Sequence, residues 1–185
     1  LKAAMIKGEK VLKLETERLT IRPFTKEDIP DLHTIFSDPE TMQHYPAPFR
    51  YEKTKSWVEK NLQRYQKDGH GLWAVCFRET GEVIGDCGLV TQQVEGKNEI
   101  ELGYHINKKH WSKGYATEAA IACRDYGFQQ LKVDRLISLI VPKNKPSIRV
   151  AEKIGFGREK EVLIFYKYHY IYAGFRQHES KGDTS

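Results

Sequence analysis

The sequence is poor in cysteine, and its three, Cys76, Cys87 and Cys123, show neither a CxxC pair nor Cys/His ligand spacing. An odd, scattered set excludes a disulfide framework and a zinc site, and it fits buried thiols in a reducing compartment. The expected location is therefore cytoplasmic, and no metal is expected. Long apolar runs are missing too: none approaches the ~20 residues that span a bilayer, so no membrane partner is expected. The opening stretch LKAAMIKGEKVLKLE lacks the apolar core of a secretory signal. Neither glycine-rich nucleotide loop, GxxxxGK[ST] or GxGxxG, is present. There is no RNP motif, no helix-turn-helix signature and no dense Arg/Lys cluster, so direct nucleic-acid binding is not expected. The net charge of +5 is spread along the chain. It reads as solvated surface and is compatible with an anionic cofactor.

What remains is an ordinary globular balance, with 39% hydrophobic and 30% charged residues. The 185 residues suffice for one well-cored domain and are short for two. We place that domain at 14–176, after an N-terminal extension (1–13) and before a polar tail (177–185) expected to be disordered. Internal repeats are absent. Alternation predicts a first strand in ERLTIRPF (17–24), and Thr25 with Asp28 reads as a helix N-cap ahead of DIPDLHTIF. MQHYPAPFRY (42–51) is expected as a loop that either faces a substrate or packs on the body. A second helix is expected over 52–67, stopped by Gly69. LWAVCF (72–77) and EVIGDCGLV (82–90) read as a hairpin, with Gly85 and Gly88 marking a bulge or a close backbone contact.

After a turn at 95–98, EIELGYHI (99–106) alternates with period two. Glu99, Glu101, Gly103 and His105 share one face, opposite Ile100, Leu102, Tyr104 and Ile106. Two carboxylates and an imidazole on a central strand are either a solvated face or a working one, since buried charge must be paired or useful. Then comes HWSKGYATEA (110–119), a short turn opening a helix that runs to about Leu131. The first N–H groups of a helix lack internal acceptors and carry partial positive charge, so this end suits a phosphate or pyrophosphate. Gly114 lets backbone approach the ligand, Ala116 keeps the next turn uncrowded, and Ser112, Lys113 and Thr117 offer further contacts. An ordinary capped helix is the competing reading. VDRLISLIV (133–141) is apolar enough for a strand buried on both faces, so strand, helix and strand make a crossover with parallel strands. A further helix is expected at 146–153, ended by Gly155, followed by strands near 158–165 and 167–173.

Together these segments resemble the GNAT superfamily of acyl-CoA-dependent N-acetyltransferases, most nearly the RimJ/RimL type that acetylates ribosomal-protein N-termini. The resemblance covers roughly 14–174 and rests on ETERLTIRPF, TGEVIGDCGL, EIELGYHI with HWSKGYATEA, and NKPSIRVAEKIGF, in that order. It implies an α/β (α+β) fold: a mixed, mostly antiparallel seven-stranded sheet with flanking helices, whose fourth and fifth strands run parallel and splay apart. It implies acetyl-CoA as cosubstrate, pantetheine against Tyr104, His105 and Ile106, and pyrophosphate on the loop Trp111, Ser112, Lys113, Gly114, Tyr115, Ala116 and Thr117. Asn144 would touch the pantetheine arm, with Ser147 beside the thioester. An amine acceptor needs a base, for which Glu101 ranks first, Glu99 second and His105 third.

Two positions depart from the family pattern. Trp111 stands where the loop usually has Gln or Arg, and Ala151 stands where many members carry a Tyr general acid, leaving Ser147 as the candidate acid. The implied function is acetyl transfer to a primary amine, first a protein N-terminus. The alternatives are a small amine, polyamine or amino-acid-like acceptor, or a non-catalytic acyl-CoA-binding module. Tyr45, Phe49, Tyr51, Phe165, Tyr166 and Tyr168 are candidates to line the acceptor groove. A monomer and a homodimer are both compatible with the chain.

Overall fold

The computed structural model describes residues 4–6 and 9–177. The tail expected to be disordered lies, after Gln177, outside the described residues. In the segment expected as an extension, β1 (Ala4–Ile6) and β2 (Glu9–Val11) form a separate antiparallel hairpin. The body then runs β3 (Leu14–Glu15), β4 (Leu19–Arg22), α1 (Ile29–Phe36), α2 (Tyr51–Asp68), β5 (Leu72–Phe77), β6 (Val83–Val94) and β7 (Lys97–Ile106). It continues through α3 (Tyr115–Gln129), β8 (Arg135–Ile140), α4 (Lys145–Lys153), β9 (Gly157–Ile164) and β10 (Lys167–Phe175).

Eight strands, not seven, make one sheet in the order β3-β4-β5-β6-β7-β8-β10-β9. The additional member, β3, is a two-residue edge strand paired to β4 through Leu14–Ile21 and Glu15–Thr20. All pairings in this sheet are antiparallel except β7 with β8, as the crossover through α3 requires. That parallel contact is a single rung, Glu101 to Ile137. Beyond it the two strands part.

Helices cover both faces. Ile29, Leu32, Ile35 and Phe36 of α1 are buried with Val58 of α2 against Ala74, Cys76 and Val90. Each such fully buried side chain contributes ~1.5–3 kcal/mol. On the other face α3 packs closely because its inner stripe is small: Ala119, Ala120, Cys123 and Gly127 lie over Leu89 and Leu136. The free thiols Cys76, Cys87 and Cys123 are all buried.

Both glycines flagged in β6 mark close approaches. A Cβ on Gly85 would sit 1.9 Å from the His105 carbonyl oxygen, and one on Gly88 would sit 2.1 Å from that of Gly71. The pairing register with β5 also slips between Val75 and Cys76, so a bulge accompanies the contact. The β6–β7 turn needs only Glu95 and Gly96, both at positive φ, so the strands run longer than expected. The β9–β10 turn is made the same way by Phe165 and Tyr166, at φ 54° and 60°. Neither is glycine, which is a strained choice for bulky residues. Among the described residues no helix is long and apolar enough to cross a membrane.

Candidate active site

The site begins where β7 ends. Asn107 opens a single 3-10 turn (Lys108–His110), its side chain accepting from the Lys109 N–H. The Trp111 indole folds back and donates to the Ile106 carbonyl at 2.7 Å. Ser112 (φ 59°) and Gly114 (φ 84°) then take left-handed conformations, which aims the chain into α3. The first helical bond is Glu118 N–H to the Gly114 carbonyl, at 3.0 Å. Gly114 at the N-cap supplies no side-chain acceptor. The N–H groups of Tyr115, Ala116 and Thr117 thus open α3 without an intrahelical acceptor. Trp111, Ser112, Lys113 and Gly114 are exposed in front of them, and Lys113 Nζ lies 3.3 Å from the Lys109 carbonyl.

Sequence reasoning missed Arg18, which braces this loop. Its Nη1 donates to the Lys113 carbonyl at 3.0 Å and its Nε to Glu118 at 2.7 Å. The guanidinium also stacks over the Tyr115 ring, 4.3 Å from the centroid. Glu118 accepts as well from Thr16 and from the Arg18 N–H. Burial opposes its ionisation, but the hydrogen bonds from Thr16 and Arg18 outweigh it and hold the carboxyl below its usual range. A cation therefore stands beside the loop although Trp111 supplies none. Arg18 is about a hundred residues away in sequence, and nothing in the alternating β4 segment distinguished it from an outward-facing charge.

The parted strands lie next to this loop. The Asn107 N–H bonds the Ile84 carbonyl in β6, so by alternation the backbone groups of Leu102, Tyr104 and Ile106 face β8. Ser138 of β8 meets the first of them, its hydroxyl donating to the Leu102 carbonyl at 2.9 Å. Past that point β7 has no strand partner on this side. Across the gap, Asn144 caps α4 by accepting from the Ser147 N–H at 3.2 Å, and the Tyr104 hydroxyl reaches the Ser147 carbonyl at 3.3 Å. Ala151 is buried in α4.

The other face of β7 holds the titratable groups. Glu101 accepts from Gln92 Nε2 at 3.1 Å and from the Leu139 N–H. Burial pushes its pKa up, and the Gln92 bond and the charges of Arg64 and His105 only partly offset this. Glu99 stands apart from this centre: it pairs with Arg135 at 3.1 Å, which is shared with Glu159. The two carboxylates were equivalent by period but are unlike in surroundings.

His105, 12% exposed, has its Nδ1 2.7 Å from the fully buried Asp86 carboxylate. Its Nε2 is 2.7 Å from the Tyr45 hydroxyl. Asp86 also accepts from the Trp57 indole at 3.0 Å. Asp86 was overlooked, yet its signal was available: one carboxylate inside the apolar run VIGDCGLV. Of the groove candidates, Tyr45 joins this centre and Phe49 packs into the core against Phe36 and Trp57. Tyr51 is exposed and stacks on His33, while Phe165, Tyr166 and Tyr168 are exposed on the last hairpin. Among the described residues no His, Cys, Asp and Glu cluster is placed to hold a metal ion.

Comparison with known proteins agrees with this geometry. Residues 18–157 match the family model of the acetyltransferase (GNAT) domain. Protein YkkB of Bacillus subtilis (strain 168) is 40% identical over 151 residues, covering 81% of this chain and 88% of its own. The crystal structure of a GNAT-family acetyltransferase from Bacillus anthracis superposes with a TM-score of 0.75 at 33% identity, covering 89% of this chain and 98% of that one. A ribosomal L7/L12 alpha-N-protein acetyltransferase, RimL, in complex with coenzyme A shares the fold at 17% identity. Its TM-score is 0.72, over 89% of this chain and 98% of its own.

Proposed function

The chain belongs to the GNAT acetyltransferase family, whose members use acetyl-CoA, and on that premise we propose that it acetylates the α-amine of a polypeptide N-terminus. The observation that carries the reading is the parted pair β7 and β8, with an uncapped helix start at one end and the half-buried Glu101 at the other. The residues fit the cosubstrate. The N–H groups of Tyr115, Ala116 and Thr117, with Ser112, Lys113 and Arg18 around them, suit a pyrophosphate. The free edge of β7 at Tyr104 and Ile106 suits the amides of the pantetheine arm, flanked by His105 within β7 and by Asn144 and Ser147 across the gap. When bound, acetyl-CoA supplies the thioester carbonyl that the amine attacks.

Glu101 takes a proton from the incoming ammonium, and its raised pKa brings it toward the range useful for a base near neutral pH. The N–H of Ile106, on the β7 edge without a strand partner, suits the role of polarising the carbonyl. Ser147 is the candidate donor to the leaving sulfur. Glu99 serves the surface pairing with Arg135. The N-terminal acceptor is favoured by the exposed aromatic tip Phe165, Tyr166 and Tyr168. Burial and then the charge of the Lys167 ammonium, next to this tip in sequence, lower the His44 pKa. Exposed aromatic side chains suit contact with the residues that follow a chain's first amine. A polyamine or other small amine is the second reading, favoured by two acidic side chains on the acceptor side, the buried Asp86 and the half-buried Glu101.

Calorimetric titration with acetyl-CoA, followed by thiol release with free-N-terminal peptides, polyamines and amino acids, tests both. Release with peptides alone supports the proposal, and release with polyamines alone replaces it with the second reading. Absence of acetyl-CoA binding removes both.

A further inference from the structure

An ammonium acceptor must lose two protons from nitrogen to become an amide, and Glu101 accounts for one. Five groups from different elements converge beside it: Asp86 from β6, His105 from β7, Tyr45 from the 37–50 loop, Trp57 from α2 and Phe36 from α1. Resting on the acetyltransferase reading above, we propose that Tyr45, backed by His105 and Asp86, is the second proton acceptor of the reaction.

The geometry fixes the direction of transfer. Nδ1 of His105 lies 2.7 Å from an acceptor-only carboxylate, so it carries the ring proton. Asp86 is 0% exposed and is held by the Trp57 indole, which fixes its carboxyl group beside Nδ1. This sets the tautomer and stabilises the imidazolium once it forms. Nε2 is then bare and accepts from the Tyr45 hydroxyl at 2.7 Å. The lone pairs of that hydroxyl remain for a substrate N–H. Phe36 and Trp57 pack edge-on to the imidazole, at 5.4 and 5.9 Å between centroids, and keep the ring in place.

Asp86 and Tyr45 contact the His105 ring, Phe36 and Trp57 pack on it from α1 and α2, and Glu101 and Arg64 of α2 are the neighbouring charges on this face. Burial, and then the charges of Asp86 and Glu101, hold the Tyr45 phenol protonated well above its usual range, so it gives up its proton only as it takes another. Tyr45 is thus catalytic in the sense of touching the amine, and His105 and Asp86 act through it.

Protons and bonds balance. Glu101 takes the first proton, and the free amine forms the C–N bond as the C–S bond breaks. The second N–H proton passes to the Tyr45 oxygen as Tyr45 gives its own to His105 Nε2. The departing thiolate takes up one proton. The other leaves to solvent, restoring Glu101 and His105.

The test uses the full chain with acetyl-CoA and hydroxylamine, a small nucleophile already in its free-base form at pH 7. Its first deprotonation is unnecessary, but an N–H proton must still leave, and acetohydroxamate is read by its ferric colour. Tyr45→Phe and His105→Gln should each lower kcat on the order of 10²-fold. The hydroxylamine KM should stay within about twofold, and the double variant should lose no more than the worse single, as one relay requires. The loss should be the same at pH 7 and pH 9.

Three results overturn the relay: Tyr45→Phe at wild-type rate, a loss confined to KM, or additive losses in the double variant. So does a wild type that binds acetyl-CoA but yields no acetohydroxamate above the buffer blank. A wild type that does not bind acetyl-CoA instead overturns the acetyltransferase reading itself.

Discussion

Replacing Glu101 by Gln removes one proton-accepting oxygen and almost no volume. The carboxylate now accepts from Gln92 and the Leu139 N–H, and the amide of Gln keeps one carbonyl oxygen for those donors. The fold should therefore survive. A positioned base contributes ~10²–10⁴ in rate, equivalent to about 3–5 kcal/mol on the barrier, so kcat at neutral pH should fall by at least ~10². Affinity for acetyl-CoA should hold, because the side chain lies on the α1–α2 face and the free backbone edge at Tyr104 and Ile106 lies in the gap.

The pH profile carries more information than the single rate. With an alkylamine acceptor the deficit should be largest at pH 6 and shrink toward pH 9, as solvent deprotonates more of the acceptor unaided. Stability should move as well. The folded-state pKa of Glu101 is raised above 4.5, so its protonated form favours folding. That contribution is fully present below pH 4.5 and is lost as pH rises through the folded value. The variant should lack this loss, so its Tm should match or exceed the wild type's at pH 7, and the gap should widen with pH from about 4.5 upward. Every tenfold difference in proton affinity between the folded and unfolded chains corresponds to ~1.4 kcal/mol. Thiol-release kinetics across pH 6–9 and thermal melts from pH 4 to 9 decide the matter. Full rate throughout that range would refute Glu101 as the base.

Other substitutions probe the remaining parts. Gly114→Val puts a β-branched residue at φ 84° with its Cβ 3.4 Å from the Arg18 guanidinium. Strain of ~1–3 kcal/mol should weaken acetyl-CoA binding about tenfold or more, and calorimetry showing unchanged affinity would undo the loop assignment. Arg18→Ala breaks a bridge whose arginine is 42% exposed, so its cost in stability should be under ~1 kcal/mol. Acetyl-CoA affinity should still fall severalfold, and equal wild-type and variant isotherms would deny Arg18 its part. Gly85→Ala drives a methyl into the His105 carbonyl and should cost ~3 kcal/mol or more. A urea midpoint close to wild type would show that β6 and β7 can move apart.

The crossover and its loop were legible because their signals are local. Period-two alternation, a glycine turn and a small-residue stripe all fall within about thirty residues. β3 was not legible, since Leu14 and Glu15 are too few to show a period. Alternation put Glu99, Glu101 and His105 on one face correctly, but it could not rank the carboxylates. That ranking depends on Arg135, which comes from β8 and takes Glu99 into a surface ion pair. Tyr45 joins His105 across 60 residues, from a loop with no periodicity to mark its inward-facing side chain. The Asn144 side-chain oxygen caps α4, a local role that the motif alone did not announce.

The lone rung between Glu101 and Ile137 has a consequence for how the molecule holds together. It divides the sheet into two rafts, β3 through β7 and the trio β8, β10 and β9, joined by one ladder rung and a few side-chain bonds (Ser138 to Leu102, Arg135 to Glu99) and bridged by α3. A bound pantetheine arm would lie where the missing rungs belong, acting as a surrogate strand that sews the rafts together. Cofactor loading should then do more than add affinity-linked stability. It should merge two units that open separately into one that opens as a whole, with amides of the trailing trio gaining the most protection.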